Sequence, residues 1–134
     1  MKRPVKPNSR NPELTRKKLL EAAVDEFAQH GFSGGKLERI ARRAGVNKRL
    51  VYHYFKDKDR LYSTVLEHAY SLIHRKDDEI ELDTSDPVRA LAILVDRTFE
   101  RIFELPKVSA LIADENQQKA KHIRDAPWMR VLHD

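Results

Sequence analysis

Residues 31–61 read GFSGGKLERIARRAGVNKRLVYHYFKDKDRL, and the fold turns on this stretch. It has the pattern of two short helices closed around a tight turn and studded with cations. Ile40, Ala41 and Ala44 give the first helix a small apolar face, Gly45 lets the chain leave it in a left-handed conformation, and Val46 plugs the core at once. Asn47 is placed to cap the next helix, in which Val51, Tyr52 and Phe55 group on one side. Lys48, Arg49, Leu50, His53 and Tyr54 are left toward its start and its other face. A braced helix with an exposed cationic start is what a protein inserts into the major groove of DNA.

Working outward, the chain reads as helices and little else. Asn11 can cap a first helix with Pro12 at its opening position, Leu19, Ala23 and Phe27 recur every four residues, and Gly31 ends the run. Residues 1–11 form a basic arm without periodicity, expected to be flexible. The second helix is expected over 36–44 and the third over 48–55. Asp57 caps a fourth, with Lys58 at its first position and Leu61, Val65, Ala69, Leu72 and Ile73 in a stripe to about residue 75. The polar segment RKDDEIELDTSD connects it to a fifth helix opened by Asp86-Pro87, whose Val88, Leu91, Ala92, Val95, Phe99, Ile102 and Phe103 follow helical spacing until Pro106. A sixth is expected over about 107–122, holding Val108, Leu111 and Ile112, before Pro127 interrupts. No segment alternates apolar and polar residues long enough for a strand, so the fold class is all-α. The expected division is an arm at 1–11, a DNA-binding unit at 12–56, a connecting helix at 57–76 and a further partial domain at 77–134.

Composition narrows the function. Residues 1–60 carry 16 Lys and Arg against 7 Asp and Glu, a balance of +9, whereas 61–134 carry 10 against 14, a balance of −4. A basic first half suits a phosphate-rich partner, and an acidic second half would be held away from it. There is no cysteine, which excludes disulfides and thiolate-bound zinc. The six histidines are dispersed, and His68 and His74 are six apart, wrong for ligands on one helical face. No catalytic residue, metal ligand or cofactor is expected, and with no apolar run of the roughly 18 residues a membrane span needs, a cytoplasmic, soluble protein is.

Through the fourth helix the chain resembles the DNA-binding domain of the TetR family of bacterial transcriptional regulators. The resemblance rests on Thr15-Arg16, Gly31-Phe32, Ile40-Ala41, Ala44-Gly45-Val46, Tyr52, Tyr54-Phe55, Lys58 and Leu61. It implies a three-helix helix-turn-helix domain followed by helices of a truncated regulatory domain. It also implies a homodimeric repressor on a palindromic double-stranded DNA operator, controlled by a small-molecule effector through the fourth helix. Two departures stand out. Gly35-Lys36 replaces the family's hydroxyl residues at the start of the second helix, and Arg49 stands where the family often has glycine.

Lys48, Arg49, Leu50 and His53 are the expected base readers, since they occupy the start and the next turn of the recognition helix. Tyr54 and Lys58 match family positions that grip backbone phosphates, and Lys36 and Asn47 join them. Tyr52 and Phe55 are expected in the core. Phe99, Ile102, Phe103, Leu111 and Ile112 are candidates to line an effector pocket, although a helical apolar stripe is more often ordinary core. The family's two terminal dimerisation helices have no evident counterpart before Asp134, so a fragment of a longer regulator is expected. Two alternatives share these observations: a nucleoid-associated or division-linked DNA-binding protein of the same fold, and a ligand-binding helical bundle without DNA contact.

Overall fold

A computed structural model describes residues 11–78, 81–124 and 126–129, so residues 1–10 of the expected arm and 79–80 of the expected connector lie outside the described residues. Within them the helices are α1 (Pro12–Gly34), α2 (Leu37–Ala44), α3 (Lys48–Phe55), α4 (Lys58–Asp78), α5 (Pro87–Glu104) and α6 (Pro106–Gln117). No strand occurs among the described residues. Among the described residues no helix is long and apolar enough to cross a membrane.

The helix starts are set by the side chains that their sequence positions suggest. Asn11 accepts from the Leu14 amide at 3.1 Å, Asn47 from Arg49 at 2.9 Å, Asp57 from Arg60 at 2.8 Å and Asp86 from Arg89 at 3.2 Å. Each satisfies an amide that the helix itself leaves without a partner, a contribution of about 0.5–2 kcal/mol. Two glycines do the stopping. Gly31 breaks α1 at φ 70°, and a β-carbon there would lie 2.7 Å from the Asp114 carboxylate. Gly45 ends α2 in the left-handed region, where its own amide bonds Arg42 O and that of Val46 bonds Ala41 O, the paired arrangement that closes a helix sharply.

The core sits where α1, α2, α3, α4 and α6 converge. Leu19, Ala23 and Phe27 of α1 meet Ile40 and Ala41 of α2, Val51 and Phe55 of α3, and Leu61, Val65 and Ala69 of α4, all buried. Leu111 of α6 and Ile123 beyond it complete the cluster. Tyr62 and Leu66, which the expected α4 stripe omits, are fully buried as well.

Three expectations need correction. Tyr52 is 45% exposed, because helical rotation carries it about 100° away from Val51 and out of the groove that Val51 and Phe55 fill. Helix α6 stops at Gln117, well before residue 122, since Lys119 and Ala120 both adopt φ 57° and turn the chain back. The α5 stripe is no core: no residue of that helix is buried, and Phe99 and Phe103 are 60% and 81% exposed.

Candidate nucleic-acid interface

The α2–α3 pair owes its position to one buried acid. Glu26, on the inward face of α1, is fully buried and accepts from the Lys36 backbone amide at 3.1 Å and from Arg39 Nε at 2.6 Å. Its other oxygen lies 3.6 Å from Arg43 Nε and 4.0 Å from His30 Nε2. Burial by itself would push this carboxyl up, but the Arg39 and Lys36 hydrogen bonds and the charges of Arg39 and His30 outweigh it and hold Glu26 below the ordinary glutamate range. An ionised carboxylate therefore fastens the start of α2 to α1. Gly35 makes this approach possible, since a β-carbon there would lie 2.5 Å from the Phe27 ring. Its place in the chain is thus a packing requirement.

With α2 fixed, the Gly45 turn presents α3. Arg49 and His53 are exposed, and Leu50 is half-buried. Lys48 places its ammonium 2.5 Å from Glu38 Oε1 of α2 and 5.7 Å over the Tyr52 ring. The hydrogen bond to Glu38 raises Lys48 above the usual lysine value, and the same bond lowers Glu38. His53 packs edge-on against Tyr54, which is half-buried against the core. Asn47 is exposed, but its side-chain oxygen is engaged in capping.

The expected phosphate candidates are distributed over the starts of α2, α3 and α4 and the body of α3. Lys36 is exposed at the start of α2, and Lys58 stands at the first position of α4 with its ammonium 4.7 Å over the Phe32 ring. Residues 36–60 hold nine Lys and Arg against three Asp and Glu, so the unit keeps a cationic surplus even after Glu26 and Glu38 take their partners.

The five candidate pocket residues are not brought together. Ile102 and Ile112 line a cavity of about 350 Å³ with Ile73, Thr98, Arg101 and Asn116. Leu111 is buried and borders a second cavity of about 320 Å³, with Val24, His68 and Leu105. Phe99 and Phe103 line neither of these and face solvent.

Sequence reading missed a polar network joining α6 to the DNA-binding unit. Asp114 accepts from the Phe32 amide at 3.0 Å, from the Tyr62 hydroxyl at 2.5 Å and from Gln118 Nε2 at 2.8 Å. Burial, then the Asp114 bond, pushes the Tyr62 hydroxyl far up, so it stays a donor. Glu115, fully buried, takes the amides of His122 and Ile123, and the His122 ring lies between Glu115 Oε1 at 3.0 Å and Asp59 Oδ1 at 3.1 Å. The Asp114-Glu115 pair directly after the apolar run at 110–113 was the signal available for it.

Residues 19–65 match the family described as bacterial regulatory proteins, tetR family. The chain is 35% identical over 120 residues to the HTH-type transcriptional repressor NicS of Pseudomonas putida, covering 90% of this chain and 57% of that one. It is 48% identical over 59 residues to the HTH-type transcriptional repressor SCO4008 of Streptomyces coelicolor, covering 44% of this chain and 31% of the relative. Among solved structures, SCO4942 from Streptomyces coelicolor superposes with a TM-score of 0.62 at 30% identity, over 87% of this chain and 58% of that one. HlyIIR, a hemolysin II transcriptional regulator, shares the fold, with a TM-score of 0.64 at 24% identity over 91% and 64% of the two chains. The chain thus spans little more than half the length of the longest-matching of these relatives. Taken with the helix-turn-helix geometry of α2 and α3, these likenesses establish that residues 19–65 form a DNA-binding domain of the tetR family of bacterial regulatory proteins.

Proposed function

We propose that this chain is the DNA-binding part, with the first regulatory helices, of a cytoplasmic transcriptional repressor that works as a homodimer on a palindromic operator. The observation that carries the reading is α3 itself: a short helix seated on Val51 and Phe55, offering Arg49 and His53 outward from a cationic unit. Arg49 donates to guanine O6 and N7, Leu50 meets a thymine methyl, and Lys48 and His53 complete the base contacts. Lys36, Asn47, Tyr54 and Lys58 hold phosphates on either side, and exposed Tyr52 joins them. Two such helices spaced about 34 Å apart by a two-fold axis would read successive major grooves. The repressor role follows the printed descriptions of the similar NicS and SCO4008 proteins. For the effector, the cavity between α4, α5 and α6 lined by Ile102 and Ile112 is the preferred seat, because a molecule there touches both the connecting helix and the helix that bonds Phe32.

Selection of bound duplexes from a random pool tests the reading. One palindromic motif is expected, and Arg49→Ala should weaken binding to it about 5- to 150-fold while changing unrelated DNA far less. Enrichment of no motif by the wild-type chain would overturn the reading, and equal protection of many unrelated sites would mark an architectural protein instead.

A further inference from the structure

Glu38 is the one acid on α2, and it stands beside the start of the recognition helix. The Gly45 turn brings it against Lys48, the first residue of α3, with Nζ to Oε1 at 2.5 Å. Neither partner is covered: the side chains are 56% and 41% exposed, with the Tyr52 ring beneath the ammonium. Both groups therefore keep polar capacity toward the solvent that a duplex would displace.

A lone lysine at this place would be a mobile point charge, taking the nearest phosphate and adding affinity without sequence information. Pairing with Glu38 fixes the ammonium and cancels much of its local charge. The carboxylate accepts and cannot donate, and phosphates repel it. In the major groove its only partners are the exocyclic amino groups of cytosine and adenine. Cytosine suits it better, because adenine sets its N7 acceptor beside the amino group.

Resting on the DNA-binding reading above, we propose that Glu38 is a specificity-determining residue of this interface. Together with Lys48 it selects a base-pair step that offers an amino donor, cytosine N4 or adenine N6, next to the purine acceptors that Lys48 takes, and it penalises DNA without that step. Helix α2 thus contributes to reading the sequence as well as bracing the reader.

The test compares wild type, Glu38→Gln and Glu38→Ala in selection from a random duplex pool, followed by binding to the selected duplex, its single-base variants and an unrelated duplex across a salt series. Expected for both variants is loss of preference at one base position with the others kept. Binding to unrelated DNA should tighten, with a log–log salt slope steeper by about 1 as Lys48 takes a phosphate. The substituted duplexes tell cytosine from adenine at that position. Adding Lys48→Ala to Glu38→Gln should abolish the tightening. A wild-type motif retained unchanged by the Glu38 variants, or a uniform weakening on every duplex, overturns this inference alone and leaves a surface ion pair worth at most about 1 kcal/mol. Failure of the wild type to enrich any motif sinks the DNA-binding reading and this inference together.

Discussion

Helix α2 and helix α5 both carry apolar residues at clean helical spacing, yet their fates differ. Ile40 and Ala41 of α2 are sealed in the core against α1 and α3, while α5 leaves Val88, Leu91, Phe99 and Phe103 in solvent. Periodicity states which side chains share a face. Whether anything covers that face depends on partners far away in the chain, and for α2 the decisive one is Glu26, ten residues before the Lys36 amide it holds and thirteen before Arg39. The lesson is that a polar tie can fix an apolar contact in place.

The contrast can be broken in order of size. Glu26→Ala leaves Arg39 and the Lys36 amide without their acceptor and should cost about 3–5 kcal/mol in urea unfolding. A loss under about 1 kcal/mol would mean that apolar packing alone holds α2. Ile40→Ala should cost about 2–5 kcal/mol by the same measurement, through the cavity it opens. Acid provides a gentler probe. The folded-state pKa of Glu26 lies below its ordinary value of 4.5, so its stabilisation is complete above 4.5 and is lost as pH falls through the lower folded value. The stability gap between wild type and Glu26→Gln should therefore narrow in acid, and a gap that widened there would show the carboxyl to be protonated in the fold. Least affected should be Phe103→Ala, within about 0.5 kcal/mol of wild type, as befits an exposed side chain.

Much of the fold was legible because it is local. Asn11, Asn47, Asp57 and Asp86 cap the helices they precede, Gly31 breaks the helix that contains it, and Gly45 stops the one it follows. Tyr52 was misplaced because one helical step separates it from Val51, and spacing alone cannot say which of two neighbours turns inward. Glu26 was passed over since a glutamate within an apolar stripe reads as the solvent side, and its cationic partners belong to another helix. The need for Gly35 is not legible in the sequence, because the obstacle that requires it, the Phe27 ring, is brought there only by folding. Of the base and phosphate candidates, Arg49, His53, Lys36 and Asn47 are exposed where they were expected, while Tyr54 and Leu50 are partly withdrawn into packing.

The two neighbouring carboxylates of α6 bear on where this molecule can be cut. A fragment ending with α4 would strip the Phe32 amide and the Tyr62 hydroxyl of their shared acceptor and uncover the apolar side of α1 that Leu111 seals. Such a piece would hold every groove-facing residue and still be a poor folder, so the smallest autonomous reader of this type should extend past Ile123.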